Sequence, residues 1–495
     1  MKVNSLKWQR ILLVVVSAIL VCIAFPPLNL EFLAWFALVP LFLAVKSSNM
    51  SESFWCGILF GFIGFSLALF WLKVFGLFVP FIVSVILALG FGLFCLIYKL
   101  IKPKLSISDV ILLPIIWVAI EYLRSLIFPA GILGYSQYLN IPLIQIADIT
   151  GVMSISFLVI FSNAMIFTLI TEYTKKRTIK LLVIFVTIIG ITYSYGFYSM
   201  AKTSGKDVLK VALIQSNLIF NSPTDYNSKK TLNILGDLTT KAAKEKPSLI
   251  IWPETVIREE MRMDPFVSQS IHAIARKSKS YLLIGNPDIQ IKENKVKHYN
   301  SAFLISPDGK VIRQYNKIFT VPFWEILPLR SVFPYFRNVE TKGEFDRGSE
   351  FTVFKTPFGN FSALICFEGI FGDHVRRFVN SGAEFLVNIS NDGWSRSRTE
   401  HWQHASMNVF RAVENRTYYV RVGNTGITGV IDKTGRFVKA MPPYDRGYWI
   451  GEIGGASGRT LYTRFGDVFG WACLLATVIM VIIVVLKPLQ RRESR

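Results

Sequence analysis

The stretch Phe361-Ser-Ala-Leu-Ile-Cys366-Phe-Glu368 decides how the polar half of this chain is read. A short apolar, strand-like run delivers a cysteine, and a carboxylate follows two positions later. Cys366 is the only cysteine between residues 201 and 466; Cys22, Cys56, Cys95 and Cys473 all lie in hydrophobic segments. A free thiol is mostly protonated at neutral pH, so a cysteine nucleophile needs a base. It also needs positive charge or N–H donors for the oxyanion of a tetrahedral intermediate. A lone cysteine after a buried strand is equally an ordinary core residue, so its partners decide the matter.

Two further stretches end apolar runs in the same way. One is Leu249-Ile-Ile-Trp-Pro-Glu254. The other is Gln314-Tyr-Asn-Lys317, followed by Val321-Pro-Phe-Trp-Glu325. Strand ends are where α/β folds gather functional groups. Glu, Lys and Cys together supply a base, an electrostatic stabiliser and a nucleophile. Histidine fits less well. His374 falls on an expected helix eight residues after Cys366. His401 and His404, in Glu400-His-Trp-Gln-His404, have no cysteine or third ligand at metal spacing. They read as a helix face, and neither metal nor cofactor is expected.

Around these stretches the polar region alternates. Strands are expected over Val208–Gln215, Leu249–Trp252, Tyr281–Ile284, residues 361–366 and 385–389, and Thr417–Val422. Helices are expected over Asn227–Glu245, Asp264–Lys277, and residues 370–381 and 400–415. Asp264 before Pro265 is a helix-start signal. Ser306-Pro-Asp-Gly309 and Asp432-Lys-Thr-Gly435 are hairpin turns. Such alternation predicts an α/β domain with helices on the sheet faces. About 265 residues are enough for one large core.

The rest of the chain is different. Of the 495 residues, 52% are hydrophobic and 40 are phenylalanine, far above a soluble protein's usage. Runs of roughly 20 apolar residues read as membrane helices. Seven precede residue 201, at about 9–27, 31–46, 53–73, 77–98, 108–128, 151–171 and 180–199; an eighth covers about 467–486. The first lacks a small-residue cleavage site and reads as an anchor. The net charge of +21 does not indicate nucleic acid, because its placement follows the spans. Lys2, Lys7 and Arg10, then Lys99, Lys102 and Lys104, then Lys175, Lys176, Arg177 and Lys180, and finally Lys487, Arg491, Arg492 and Arg495 all fall on one side of an eight-span bundle. That side is expected to be the cytoplasm, which places both termini there and residues 201–466 in a periplasm-like space. Glu121 and Arg124, near the end of the fifth run, are expected to snorkel to the interface. The weakly polar loop Pro129–Asn140 is read as an interfacial segment or one packing under the outer domain. The expected division is a membrane domain over 1–200, a catalytic domain over 201–466, and a last span with basic tail over 467–495.

Trp-Pro-Glu, then Tyr-Asn-Lys before Val-Pro-Phe, then Cys-Phe-Glu, in that order, resembles the nitrilase (carbon–nitrogen hydrolase) superfamily. The resemblance extends over roughly residues 208–455. It includes Tyr299-Asn-Ser-Ala302, Asn388-Ile-Ser-Asn-Asp-Gly-Trp394 and Arg411-Ala-Val-Glu-Asn415. It implies a four-layer α-β-β-α sandwich. It implies Glu254 as general base, Lys317 as oxyanion stabiliser and Cys366 as acyl-carrying nucleophile. Glu325 looks like the superfamily's second glutamate, which orients the lysine, and Glu368 like a supporting carboxylate. Trp394 and Trp324 are candidate substrate contacts. The eight-span layout narrows the resemblance to the bacterial apolipoprotein N-acyltransferase family, set in the inner membrane. That family resemblance implies a membrane phospholipid as acyl donor and a thioester on Cys366. The implied acceptor is the α-amine of the N-terminal diacylglyceryl-cysteine of an apolipoprotein, both substrates being held in the bilayer.

Three departures bear on substrate fit. Trp324 precedes Glu325 where the superfamily commonly has glycine. Ser395-Arg396-Ser-Arg follows Trp394 in place of Phe-Gly. Ser216–Asn221 lacks a basic-aromatic ending. Val332-Phe-Pro-Tyr-Phe-Arg337 is a candidate lipid-dipping lid. Two alternatives stay open. A membrane-tethered amidase or nitrilase would pass the acyl group to water. A non-catalytic membrane protein would use the domain only for binding, and would have no need of Glu254, Lys317 and Cys366 together.

Overall fold

The structure is a computed structural model that describes residues 2–203, 209–219, 225–320, 325, 345–455 and 458–493. The chain divides into two compact units, residues 1–202 with 465–495, and residues 203–464.

Among the described residues of the first unit six helices are long and apolar enough to cross a membrane: Lys7–Ala24, Met50–Ala68, Val79–Ile101, Val152–Thr171, Lys175–Lys202 and Val468–Leu486. The fifth run forms a 17-residue helix, Asp109–Ser125, carrying Asp109, Glu121 and Arg124. The second run is broken into a 3-10 turn at Glu31–Trp35 and an eight-residue helix at Val39–Lys46. That helix rises only about 12 Å, well short of a ~30 Å hydrocarbon core. Pro40 lies at its start and has no N–H with which to extend it backwards. Asn163 satisfies the backbone at the break: its side chain accepts from Leu38 N–H at 2.7 Å and donates to Ala34 C=O at 2.8 Å. In hydrocarbon, irregular backbone persists only where buried protein groups pair it.

Glu121 and Arg124 do not snorkel. Glu121 is 2% exposed and accepts the Leu133 N–H at 2.8 Å. Arg124 donates to the carbonyls of Phe128 and Ala130. Both side chains fasten the 128–134 loop instead of reaching for the interface. Ile132, Leu133, Tyr135, Ser136 and Gln137 are accordingly buried. The loop read as interfacial is an interior part of the membrane unit.

The described residues of the second unit form twelve strands: β1 Leu209–Gln215, β2 Leu249–Ile251, β3 Tyr281–Lys292, β4 Lys295–Ile305, β5 Val311–Asn316, β6 Phe354–Thr356, β7 Gly359–Ile365, β8 Phe385–Ser390, β9 Tyr418–Gly423, β10 Thr428–Ile431, β11 Phe437–Met441 and β12 Gly447–Ile453. They form two six-stranded sheets, ordered β12-β1-β2-β3-β4-β5 and β11-β10-β9-β8-β7-β6. Each sheet has a parallel core, β1-β2-β3 in one and β7-β8-β9 in the other. Helices Ser228–Ala243 and Pro265–Ser278 cover the first sheet through Leu232, Leu235, Val267 and Ile271. Helices Gly372–Asn380 and Arg398–Asn415 cover the second. The two sheets face each other, which gives the α-β-β-α sandwich. Asp264 caps its helix by accepting from Val267 N–H at 3.0 Å, with Pro265 next, as the sequence signal predicts. β12 has no counterpart among the expected strands. It pairs antiparallel with β1, more than 200 residues earlier, so no local turn announces it.

Candidate active site

Glu254 lies three residues beyond β2, Lys317 directly follows β5, and Cys366 directly follows β7. All three are buried. The Trp252 N–H bonds to Leu283 C=O at 2.9 Å, which extends the strand pairing up to the Pro253 turn. Gly285 lies beneath Glu254, and a Cβ there would fall 2.6 Å from the Glu254 Cα. Only glycine leaves room for that approach.

Lys317 Nζ donates to Glu325 Oε1 at 2.8 Å and stands 3.6 Å from Glu254 Oε1. Asn300 joins the same two carboxylates. Its Nδ2 donates to Glu254 Oε1 at 2.8 Å and to Glu325 Oε1 at 3.1 Å. The Asn300 C=O also accepts the Lys317 N–H at 2.9 Å. Glu254 Oε2 accepts the Asn391 N–H at 2.9 Å. Asn391 follows β8, so this bond ties the first sheet to the second. Burial raises the Glu254 pKa, and the Glu325 charge adds to that; Lys317 and the hydrogen bonds oppose it. Burial disfavours the Lys317 ammonium, but Glu325 and Glu254 more than compensate, so its pKa is raised and it stays charged.

Cys366 has φ +55°, in the left-handed region that non-glycine residues rarely adopt. It opens a 3-10 turn, Cys366–Ile370, at the sharp change from strand to helix. Glu368 closes that turn. Its Oε2 accepts the Ile365 N–H at 2.8 Å, while Oε1 takes Tyr315 Oη at 2.8 Å and the N–H groups of Ile318 and Phe319 at 2.7 and 2.9 Å. Burial pushes the Glu368 pKa up, but His374 and these donors win and hold it below the ordinary value. Helix Arg398–Asn415 supports the turn from behind: Asn408 donates to Gly369 C=O at 3.1 Å and Arg411 to Ile370 C=O at 2.6 Å. A Cβ on Gly369 would lie 2.2 Å from Tyr419 Oη, so the turn needs glycine there. Burial pushes the Cys366 thiol well above its ordinary pKa, and Glu254 pushes further; Lys317 and the Ser390 hydroxyl act the other way. The resting thiol is therefore protonated and depends on a base.

Glu254, Lys317, Glu325 and Cys366 thus converge, with Glu368 holding the cysteine turn. Trp394 is half-buried in the 3-10 turn Asp392–Trp394. Trp324 and the Val332–Arg337 stretch lie outside the described residues. Ser395 is buried and donates to Glu400 Oε2 at 3.0 Å, so the first of the residues departing from Phe-Gly is absorbed into packing. Arg396 is exposed. His374 is ringed by Phe319, Phe351 and Phe378 and contacts Glu368 at 3.3 Å.

His404 does have acidic neighbours that sequence spacing hid. Ligand atoms of His404, Glu400 and Asp392 lie within 4.8 Å of one another. The Arg421 guanidinium, however, donates to Asp392 Oδ2 at 2.7 Å and stands 3.2 Å from His404 Nδ1. A positive charge already fills this cluster, and a metal cation would meet it. Arg421 also donates to Asn388 and Asn408 at 2.8 and 2.9 Å. Burial raises the Asp392 pKa, but Arg421 and His404 overcome it and hold the carboxyl well below the ordinary range. Asn300, the Asn391 amide and the Asp392–Arg421 pair are the parts of the site that sequence reasoning did not single out. The one sequence signal for Asn300 is its place in Tyr299-Asn-Ser-Ala302.

Residues 17–165 match the family model of the apolipoprotein N-acyltransferase N-terminal domain, and residues 210–460 that of carbon-nitrogen hydrolase. Among curated relatives, apolipoprotein N-acyltransferase of Geobacter metallireducens is 35% identical, over 95% of this chain and 94% of that protein. Apolipoprotein N-acyltransferase 1 of Treponema denticola is 29% identical, covering 98% of each. The Thermotoga maritima apolipoprotein N-acyltransferase is 28% identical over 96% of this chain and 95% of that one. Among solved structures, an amidase from Nesterenkonia sp. aligns with 52% of this chain and 92% of its own, at 16% identity and TM-score 0.40. The two family matches in tandem, with relatives aligned almost end to end, mean that this chain belongs to the apolipoprotein N-acyltransferase family.

Proposed function

We propose that the chain acylates the N-terminus of apolipoproteins in two steps through Cys366. In the first, Glu254 takes the thiol proton as the sulfur attacks an ester carbonyl of a membrane phospholipid. The Lys317 ammonium stabilises the oxyanion. The C–O bond then breaks, Glu254 returns its proton to the departing alkoxide, and a lysophospholipid leaves a thioester behind. In the second step the α-amine of a diacylglyceryl-cysteine attacks that thioester. Glu254 takes a proton from the amine, an amide forms, and the thiolate leaves and is reprotonated. Glu325 and Asn300 keep Lys317 and Glu254 at working distance.

The observation that carries this reading is one ammonium held by two buried carboxylates, Glu254 and Glu325, with the buried Cys366 thiol near enough to feel the charges of Glu254 and Lys317. The raised pKa of Glu254 suits a group that must both take and give a proton. The membrane helices support it too, because substrates confined to one interface meet and align more readily. The proposed arrangement is a membrane domain over 1–200, a periplasmic catalytic domain over 201–466, and a final span with a cytoplasmic tail over 467–495, in the bacterial inner membrane. Trp394 and Trp324 are proposed substrate contacts.

The test is intact-mass analysis after incubation with phospholipid, beside Cys366→Ala. A fatty-acyl adduct on the parent, removed by hydroxylamine and missing from the variant, is expected. Transfer to a diacylglyceryl lipopeptide in preference to water then separates this reading from a hydrolase. Wild-type-like transfer by the Cys366→Ala protein would end it.

A further inference from the structure

The longest strand pair among the described residues of the second unit runs past its neighbours. β3 and β4 pair over Leu282–Lys292 and Lys295–Ile305. β2 pairs with β3 only over Tyr281–Leu283, and β5 with β4 only over Ser301–Ile305. The outer part, Pro287–Lys292 with Lys295–Asn300, is a two-stranded ribbon of roughly 20 Å. Its turn residues Glu293 and Asn294 both have positive φ, +52° and +59°, the tight two-residue hairpin form.

The tip has an unusual surface. Ile291 and Val296 face each other in register and are 78% and 59% exposed. Lys292 and Lys295 form the next pair, exposed and pointing to the opposite face of the ribbon; Glu293 is the acidic group at the tip. The two aliphatic side chains stay largely open to solvent although they pair with each other, while the Lys292 ammonium lies 5.2 Å from the centre of the Tyr299 ring.

The ribbon's direction follows from topology. β3 is parallel to β2, and β5, antiparallel to β4, runs the same way as β3. The ribbon therefore projects from the sheet edge that carries Glu254 and Lys317. It is also tied to them. His298 N–H donates to Asp346 Oδ2 at 3.0 Å, and Asp346 Oδ1 pairs with Lys297 at 2.6 Å. From the same short segment, Phe345 N–H donates to Glu325 C=O at 3.0 Å and Gly348 N–H to Lys317 C=O at 2.7 Å.

We infer that this ribbon docks on the surface of an anionic phospholipid bilayer, with Ile291 and Val296 entering the acyl boundary and Lys292 and Lys295 meeting lipid phosphates. The chemistry of the tip fits such a surface. The unit is also flanked in the chain by the apolar helices Lys175–Lys202 and Val468–Leu486, so a bilayer is always at hand. Docking would hold the site mouth at the height of the ester it opens, a consequence that rests on the acyl-transfer reading.

The test uses the full chain in lipid discs containing phosphatidylglycerol. A spin label is placed at Ile291→Cys in a background with the native cysteines replaced. Its collisions with oxygen are expected to exceed those with a water-soluble nickel chelate. A control label at the exposed position Arg436→Cys is expected to show the reverse. In the otherwise native protein, Ile291→Asp with Val296→Asp is expected to raise KM for the phospholipid donor about tenfold, the equivalent of one buried aliphatic group. The kcat and the iodoacetamide rate at Cys366 stay unchanged. A label at 291 as open to nickel as the control overturns the inference. So does a label shielded only when an acceptor lipopeptide is added, since the ribbon would then be an acceptor contact. If the label lies in lipid but Cys366 forms no acyl adduct, the acyl-transfer reading fails and the docking stands.

Discussion

Glu368 Oε2 accepts the N–H of Ile365 across a three-residue turn, and that bond holds Cys366 between them at φ +55°. The other carboxylate oxygen gathers three donors from Tyr315, Ile318 and Phe319. Glu368 therefore joins the cysteine turn to the chain that follows Lys317. Glu368→Gln puts an NH₂ where only donors point. It is expected to destabilise the unit by about 2–4 kcal/mol, as loss of a buried ion's hydrogen bonds does. Thermal unfolding measures that. The thiol should also change its alkylation rate in the still-folded fraction. An unchanged rate there would reduce Glu368 to a purely structural role.

Asn300 is the second joint. One amide nitrogen donates to both Glu254 and Glu325 and so holds the two acids together. Asn300→Asp replaces that donor with a third carboxylate beside a single ammonium. Acyl-enzyme formation is expected to fall about 10²-fold or more, with lipid binding retained. Asn300→Ser, which keeps a donor, is expected to recover part of the loss. Single-turnover acylation followed by mass reads both.

How far the chain could be read beforehand follows from where each group stands. Glu254, Lys317 and Cys366 each end an apolar run, and polarity changing abruptly after such a run is visible in one dimension. Asn300 is inside β4, where a polar residue looks like ordinary alternation. Asn391 acts through its backbone, which leaves no mark on residue type. Asp392 and Arg421 are 29 residues apart and meet only because β8 and β9 are neighbours. The membrane half shows the same limit. Hydropathy finds the run over 31–46, but the break in it depends on Asn163, more than 120 residues away. Glu121 looked like a span-end charge because its burial comes from the 128–134 loop folding back over it.

The Asp392–Arg421 pair predicts an acid limb in stability. The Asp392 pKa is held well below its ordinary value. A depressed carboxylate contributes stability that is complete above its unfolded pKa, near 4, and is lost as pH falls towards the folded value. Asp392→Asn should remove that part of the acid limb. Breaking the pair from the other side, Arg421→Met, strands a buried carboxylate and is expected to cost about 3–5 kcal/mol. Denaturant titrations at several pH values between neutrality and acid check both; an acid limb unchanged in Asp392→Asn would refute the assignment.

Glu254 predicts the pH dependence of chemistry. As the proposed general base it must be ionised before the thiol can attack, and burial raises its pKa. Acyl-enzyme formation is therefore expected to rise with pH along a limb displaced upward from the ordinary carboxyl range. Glu254→Gln should abolish acylation at every pH. Pre-steady-state acylation across pH tests this. A limb at the ordinary carboxyl value would mean that another group takes the proton.

Lys317 is the group whose removal separates binding from chemistry. It lies 2.8 Å from Glu325 and 3.6 Å from Glu254, and each carboxylate keeps its ammonium charged. Lys317→Ala leaves those acids facing each other without a cation, and two such groups cannot both stay ionised. The variant is expected to bind phospholipid normally but to form thioester about 10²–10³-fold more slowly, the loss typical of an oxyanion donor. Its acylation limb should also move to higher pH, because Glu254 becomes harder to ionise. A merely structural lysine would lower the folded fraction and leave the limb where it was. Loss of lipid binding with an unchanged chemical step would instead make Lys317 a substrate contact. Equilibrium binding, the acylation rate and its pH profile, measured on one preparation, distinguish the three.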